Sequence, residues 1–194
     1  LDNHATTPVD PRVLAAMRPW WEQNFANPGS VEHAMGRAAE AAVEEARGHV
    51  AALIGAEPSE IILTSGATEA NNLAIKGAAR FARAQGAGSA AGQGTDRRRV
   101  VTLATEHKCV LESVRDLAAE GFEPVVLPVR PDGLLDLGLL EATLAGAPTL
   151  LVSVMAANNE IGVVQDLAAI GELAKRHGAL FHTDAAQAAG RMPL

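Results

Sequence analysis

The sequence predicts an α/β fold, a mainly parallel sheet with helices on both faces, and three observations predict it. From residue 61 onward, short apolar runs alternate with segments of helical period, the pattern of βαβ units. Glycines stand where the helical patterns end, at Gly55, Gly121 and Gly178. Apolar residues make up 48% of the 194, enough for a real core, and at 3% aromatics that core must be built from small aliphatics.

Residues 1–30 are irregular and rich in Pro, Asn and Thr, apart from a short helix around 11–21. Pro11 suits the first helical position and Asp10 the cap. Residues 31–54 read as a long amphipathic helix. Met35, Ala39, Ala42, Ala46, Val50 and Leu53 recur at three- and four-residue spacing, and Gly55 stops it. There follow a strand at 61–64, a helix at 68–85, a strand at 99–104 and a helix at 108–120. The rest reads as strand 124–127, helix 136–144, strand 149–155, helix 167–177 and strand 179–183. Between helix and strand lies GAGSAAGQGTD at 86–96. Its glycines superficially match a dinucleotide fingerprint, but that motif must follow a strand and open a helix, so an inserted flexible loop over 86–98 is expected.

Charge and cysteine usage narrow the function classes. With 16 basic and 23 acidic residues the net charge is −7, which argues against nucleic acid as a partner. The short run Arg97-Arg98-Arg99 reads as a solvated loop edge. Cys109 is the only cysteine, so no disulfide forms within the chain, and a reducing compartment fits. No apolar run reaches the ~20 residues of a membrane span. No signal peptide is visible, although the chain begins at Leu1 without Met.

Ligands of open α/β sheets collect outside the carboxyl ends of the strands, so the clusters after each predicted strand are the candidates. The first is Ser65-Gly66-Ala67-Thr68-Glu69-Ala70-Asn71-Asn72. Its small residues and the following helix start suit a phosphate, with the Thr68 hydroxyl adding to it; an ordinary capped turn is the alternative. Next comes Thr105-Glu106-His107-Lys108, where His107 is a candidate ring for stacking or proton transfer. In Asn158-Asn159-Glu160-Ile161-Gly162, the Asn pair makes either a tight turn or an amide for a ligand hydroxyl or carboxylate.

Asp184-Ala185-Ala186-Gln187 is the most telling cluster. Asp184 follows a continuous apolar strand, and a buried carboxylate needs a partner such as a protonated heterocyclic nitrogen. Gln187 faces the same site if the segment turns helically. His177, His182 and Asp184 make a metal site only on paper, and structural roles fit them better, so no metal is expected. Cys109, on the first turn of a helix, reads as a small buried hydrophobe.

Taken in order, these clusters together with Leu1-Asp2-Asn3-His4-Ala5-Thr6-Thr7-Pro8 and Asn27-Pro28-Gly29-Ser30 resemble the cysteine desulfurases of the NifS/IscS type, within the class V aminotransferases. The resemblance implies the fold-type-I architecture and pyridoxal 5'-phosphate as cofactor. It implies conversion of L-cysteine to L-alanine, with sulfur passed on as a persulfide for iron–sulfur cluster or thio-cofactor synthesis. It further implies a cytoplasmic homodimer whose partner is a sulfur acceptor or iron–sulfur scaffold protein.

Carried over residue by residue, Ala67 and Thr68 bind the cofactor phosphate, and His107 stacks on the ring and moves protons. Asn159 and Gln187 lie near the ring hydroxyl and the substrate, and Asp184 pairs with the pyridinium nitrogen. Residues 1–12 correspond to a segment that joins the family's small domain, and 13–194 to the N-terminal part of its cofactor-binding large domain. The pattern also departs from the family. The Schiff-base lysine, the sulfur-accepting cysteine and the substrate arginine of the family all fall beyond Leu194, and Lys76, Lys108 and Lys175 stand in other contexts. A fragment inactive on its own is therefore expected. The competing readings are a selenocysteine lyase or other class V enzyme, and a non-catalytic α/β binding module.

Overall fold

The computed structural model describes residues 6–88 and 97–192. The opening Leu1–Ala5 motif and most of the expected inserted loop lie outside them. The chain divides into two compact units, one running through Leu63 and the other from Thr64.

In the first unit, helix α1 (Pro11–Glu22) starts as expected: the Asp10 carboxylate accepts from Arg12 N at 2.8 Å, with proline in the first turn. Helix α2 (Ala34–Ile54) is capped by the ring of His33, whose Nδ1 accepts from Gly36 N at 3.0 Å. Gly36 has no alternative, because a Cβ there would lie 1.8 Å from the Ser30 carbonyl oxygen. Gly55, at φ +68°, ends the helix as the sequence indicates. A single 3-10 turn, Pro58–Glu60, follows. The strand expected at 61–64 does not form. Among the described residues no other strand pairs with it, Ile62 and Leu63 remain exposed, and an apolar run makes a strand only where a ladder is available.

The second unit holds the sheet. Helix α3 (Ala67–Gly88) runs further than expected, taking in the first residues of the segment read as a loop, because nothing in Gly86–Gly88 stops a helix already under way. Strand β1 (Arg99–Leu103) leads to α4 (Lys108–Asp116), which tightens into a 3-10 turn at Leu117–Glu120 before β2 (Glu123–Leu127). Asp136 caps α5 (Leu137–Gly146), accepting from Gly138 N at 2.8 Å and Leu139 N at 3.1 Å. After β3 (Thr149–Ser153), Asp166 caps α6 (Leu167–Arg176), and β4 (Leu180–His182) follows. The expected strands at 149–155 and 179–183 are thus shorter in ladder terms. Their direction continues nonetheless, since Val154 N donates to His182 O and Ala156 N to Asp184 O.

Among the described residues the four strands of the sheet pair in parallel, in the order β2-β1-β3-β4. The chain leaves β1 for β2 on one side and then passes to β3 on the other, so the switch point lies between the carboxyl ends of β1 and β3. Each face of the sheet has its own aliphatic core. Val100 and Leu151 pack with Ile75 of α3 and Val110 and Val114 of α4. Val101, Leu103 and Val152 pack with Leu140 of α5 and Ile170 and Leu173 of α6. Each such side chain contributes roughly 1.5–3 kcal/mol by leaving water.

The arginine run is not a solvated edge. Arg97 Nη1 donates to the carbonyls of Thr149, His177 and Gly178 at 3.0, 2.9 and 2.8 Å. Arg99 Nη1 reaches Thr143 O at 3.0 Å and its Nη2 meets Glu123 at 2.8 Å. The carbonyls that end a helix lack partners of their own, and guanidinium groups at the amino edge of the sheet supply them.

Candidate functional site

The site is built where β1, β3 and β4 end. At β1 the chain turns through Thr105 and Glu106 into α4, whose cap is His107. The His107 Nδ1 accepts from Cys109 N at 3.2 Å and lies 3.0 Å from Cys109 Sγ. With Nδ1 engaged as acceptor, the proton of the neutral ring sits on Nε2. The ring itself is exposed.

Glu106, beside it, is buried. Its Oε1 accepts from Met155 N at 2.8 Å, and among the described residues its Oε2 has no partner. Burial pushes this carboxyl up to about 8; the Met155 N–H opposes the shift and the charge of Asp184 adds to it.

At the end of β3, Asn158 is the residue that makes the turn. Its Nδ2 donates to Thr105 O at 2.7 Å, and its Oδ1 accepts from Glu160 N and Ile161 N at 2.8 and 2.9 Å. Asn159 is left to line a cleft of about 350 Å³ together with Thr105, Glu106, His107, Lys108 and Asn158. That size is within the range of small-molecule sites.

At the end of β4, Asp184 is 6% exposed. Its Oδ1 accepts from Ala186 N at 3.0 Å and its Oδ2 from Asn71 Nδ2 at 2.7 Å. Among the described residues no cation pairs with it. Asn71 lies one turn into α3 from Ala67, so the start of α3 and Asp184 share one edge of the sheet. The same amide reaches Cys109 Sγ at 3.2 Å, which leaves the thiol buried and occupied.

The expected site residues thus divide. His107 and Asn159 line the cleft, and Asp184 is tied to α3 through Asn71. Ala67 and Thr68 stand exposed at the start of α3, where Glu69 in the first turn accepts from Ser65 N at 2.7 Å. They are not part of the cleft wall. Gln187 accepts from Arg191 Nη1 at 3.0 Å and does not line the cleft either. The paper metal set is dispersed: His177 Nε2 pairs with Glu141 at 3.0 Å, and His182 Nδ1 meets Ser153 Oγ at 2.9 Å. Burial pushes His182 below its ordinary value, against the opposing pull of Asp184.

Two residues of the edge, Asn71 and Glu106, were not singled out by sequence reasoning. Glu106 could have been found by the argument used for Asp184, a carboxylate directly beyond a buried strand. Asn71 had no comparable signal, since Asn72 beside it is equally polar.

The sequence matches the family Aminotransferase class-V over residues 1–194. It is 54% identical, over its whole length, to the mitochondrial cysteine desulfurase of Drosophila melanogaster, covering 39% of that protein. Among solved structures, a NifS-like protein superposes with a TM-score of 0.88 at 38% identity, over all of this chain and 50% of the other. A structure titled SspA in complex with cysteine superposes with a TM-score of 0.84 at 40% identity, over 96% of this chain and 50% of that one. The chain therefore spans two fifths to one half of the length of these relatives.

Proposed function

Because the chain belongs to the class-V aminotransferase family, we propose that it forms the pyridoxal-phosphate-binding core of a cysteine desulfurase acting on L-cysteine. The observation that carries this reading is Asp184. A buried carboxylate that, among the described residues, holds two neutral donors and no cation is costly unless it serves a positive partner, and a protonated ring nitrogen is such a partner. The residues present therefore fit the cofactor.

Bound at this edge, the cofactor supplies an electron sink for the substrate carbon next to the amino group. Asp184 would hold the proton on the ring nitrogen, with Asn71 and the Ala186 N–H fixing its two oxygens. The free N–H groups of Ala67 and Thr68, and the Thr68 hydroxyl, suit the phosphate at the start of α3. The exposed His107 ring can stack and can present its Nε2–H as a donor, and it would move a proton by taking one at Nδ1 once that atom lets go of Cys109 N. The Asn159 amide would reach the ring hydroxyl or substrate from the cleft wall. Gln187 would join it by releasing Arg191.

The products are alanine and a persulfide on a thiol that accepts the substrate sulfur. Cys109 is not that thiol, being buried against Asn71 and His107. A homodimer working in the cytoplasm with a sulfur acceptor or iron–sulfur scaffold completes the proposal. Among the described residues no helix is long and apolar enough to cross a membrane.

The test is alanine formation from L-cysteine by the protein that carries this chain, with pyridoxal phosphate supplied. Asp184→Ala is expected to lower kcat by about 10²-fold, the scale of a lost electrostatic stabiliser. No alanine from the unaltered protein, or an unchanged rate in Asp184→Ala, would contradict the reading.

A further inference from the structure

The edge holds two buried carboxyl groups in unlike surroundings. Asp184 has a donor on each oxygen, from Ala186 N and Asn71 Nδ2. Glu106 is 5% exposed and, among the described residues, has one donor, Met155 N on Oε1. Its Oε2 is buried and bare. Ionised, Glu106 would leave an unsatisfied negative oxygen buried, within the field of the Asp184 charge. Protonated, it keeps its bond to Met155 and carries no charge.

We propose that Glu106 is a positioning residue that stands in the fold as a neutral carboxylic acid, tying the turn after β1 to the end of β3 and leaving Asp184 as the anion of this edge. The tie crosses the switch point. With Asn158 Nδ2 on Thr105 O, it fixes the turn that carries His107 against the loop that carries Asn159. The titratable groups around Glu106 are Asp184 beyond β4, His107 and Lys108 on its own turn, and Glu160 across the cleft. Lys108 is drawn to Glu112 at 3.5 Å. Asn71, from α3, adds no formal charge near Asp184. In these surroundings the Glu106 carboxyl rises to about 8, for the reasons of burial and Asp184 already given. The inference rests on the proposed function only for what Asp184 serves.

The sign of the pH effect follows. The unfolded chain releases this proton near 4.5, and the folded chain holds it to about 8. The stabilisation is fully present below 4.5 and is lost as pH rises towards 8. Within that window each pH unit lowers the folding constant by about tenfold. Glu106→Gln keeps an oxygen for Met155 N and never ionises, so its stability lacks this component.

The experiment is urea unfolding of the chain and of Glu106→Gln across the window, with infrared spectra at neutral pH. The expected result is a ratio of folding constants, unaltered chain over Glu106→Gln, that falls by about tenfold per pH unit. A protonated-carboxyl band present in the unaltered chain and missing in the variant is expected with it. A flat ratio, or no such band, overturns the proposal.

The positioning role has its own readout. Glu106→Ala removes the acceptor and is expected to shift the amide resonances of His107 and Asp184, while Glu106→Gln leaves them in place. Unmoved resonances in Glu106→Ala overturn that role. A pH-dependent ratio in a chain that binds no pyridoxal phosphate would sink the cofactor reading and leave this inference standing; cofactor binding with a flat ratio would do the reverse.

Discussion

Asp184 and Asn71 show at the level of single residues how much of the site depends on neutral hydrogen bonds. Asn71 is 4% exposed, and its Nδ2 is the donor for Asp184 Oδ2. Asn71→Ala leaves a buried carboxylate oxygen bare, which is expected to cost about 1–3 kcal/mol in urea unfolding. A variant as stable as the parent would mean that the amide does not hold the carboxylate. Asp184 was legible in the sequence because it directly follows a continuous apolar run. The spacing of three places Gln187 at the same site if the segment turns helically. In the turn that follows β4 its Oε1 accepts from Arg191 Nη1, a contact that spacing alone does not show. The Asn158–Asn159 pair was legible as a pair, but which amide makes the turn and which faces the cleft is decided by the Thr105 carbonyl, a contact from another strand end.

At the scale of elements, the caps and stops were readable and the clamps were not. Asp10 and Gly55 act where the sequence placed them, because their effect is local. The arginine run acts across the fold. Arg97 serves the carbonyls of Thr149, His177 and Gly178, residues more than fifty positions away, and nothing in the sequence shows that these will be its neighbours. Arg97→Ala is expected to destabilise the chain by about 1.5–3 kcal/mol, the value of a hydrogen bond to a charged group whose partners are left half-buried. Measured by urea unfolding, a loss below a few tenths would return the run to the status of a surface edge. The missing strand at 61–64 carries the same lesson: an apolar run is necessary for a strand, but the ladder comes from elsewhere in the fold.

Over the whole molecule, the alternation of apolar runs and helices was enough to predict a parallel sheet with helices on both faces. It was not enough to give the strand order β2-β1-β3-β4, which depends on how the crossovers pass. That order puts the β1 and β3 ends side by side, and so assembles the cleft from clusters fifty residues apart in the chain.

The first unit adds a further expectation at this scale. None of the residues of α1 is buried, and Trp21 and Phe25 are 75% and 65% exposed. Large apolar side chains left in water favour association, so the chain is expected to self-associate in sedimentation velocity. A monomer with a sharp thermal transition would count against the proposed dimer.

Equilibrium dialysis of pyridoxal phosphate against the chain and its Asp184→Ala variant shows whether the carboxyl edge of this sheet receives the cofactor with Asp184 as its anion. Saturable binding is expected, weakened by about tenfold or more in Asp184→Ala, since a loss of about 1.4 kcal/mol already amounts to that factor. Binding that fails to saturate, or that is indifferent to Asp184, would contradict the cofactor reading.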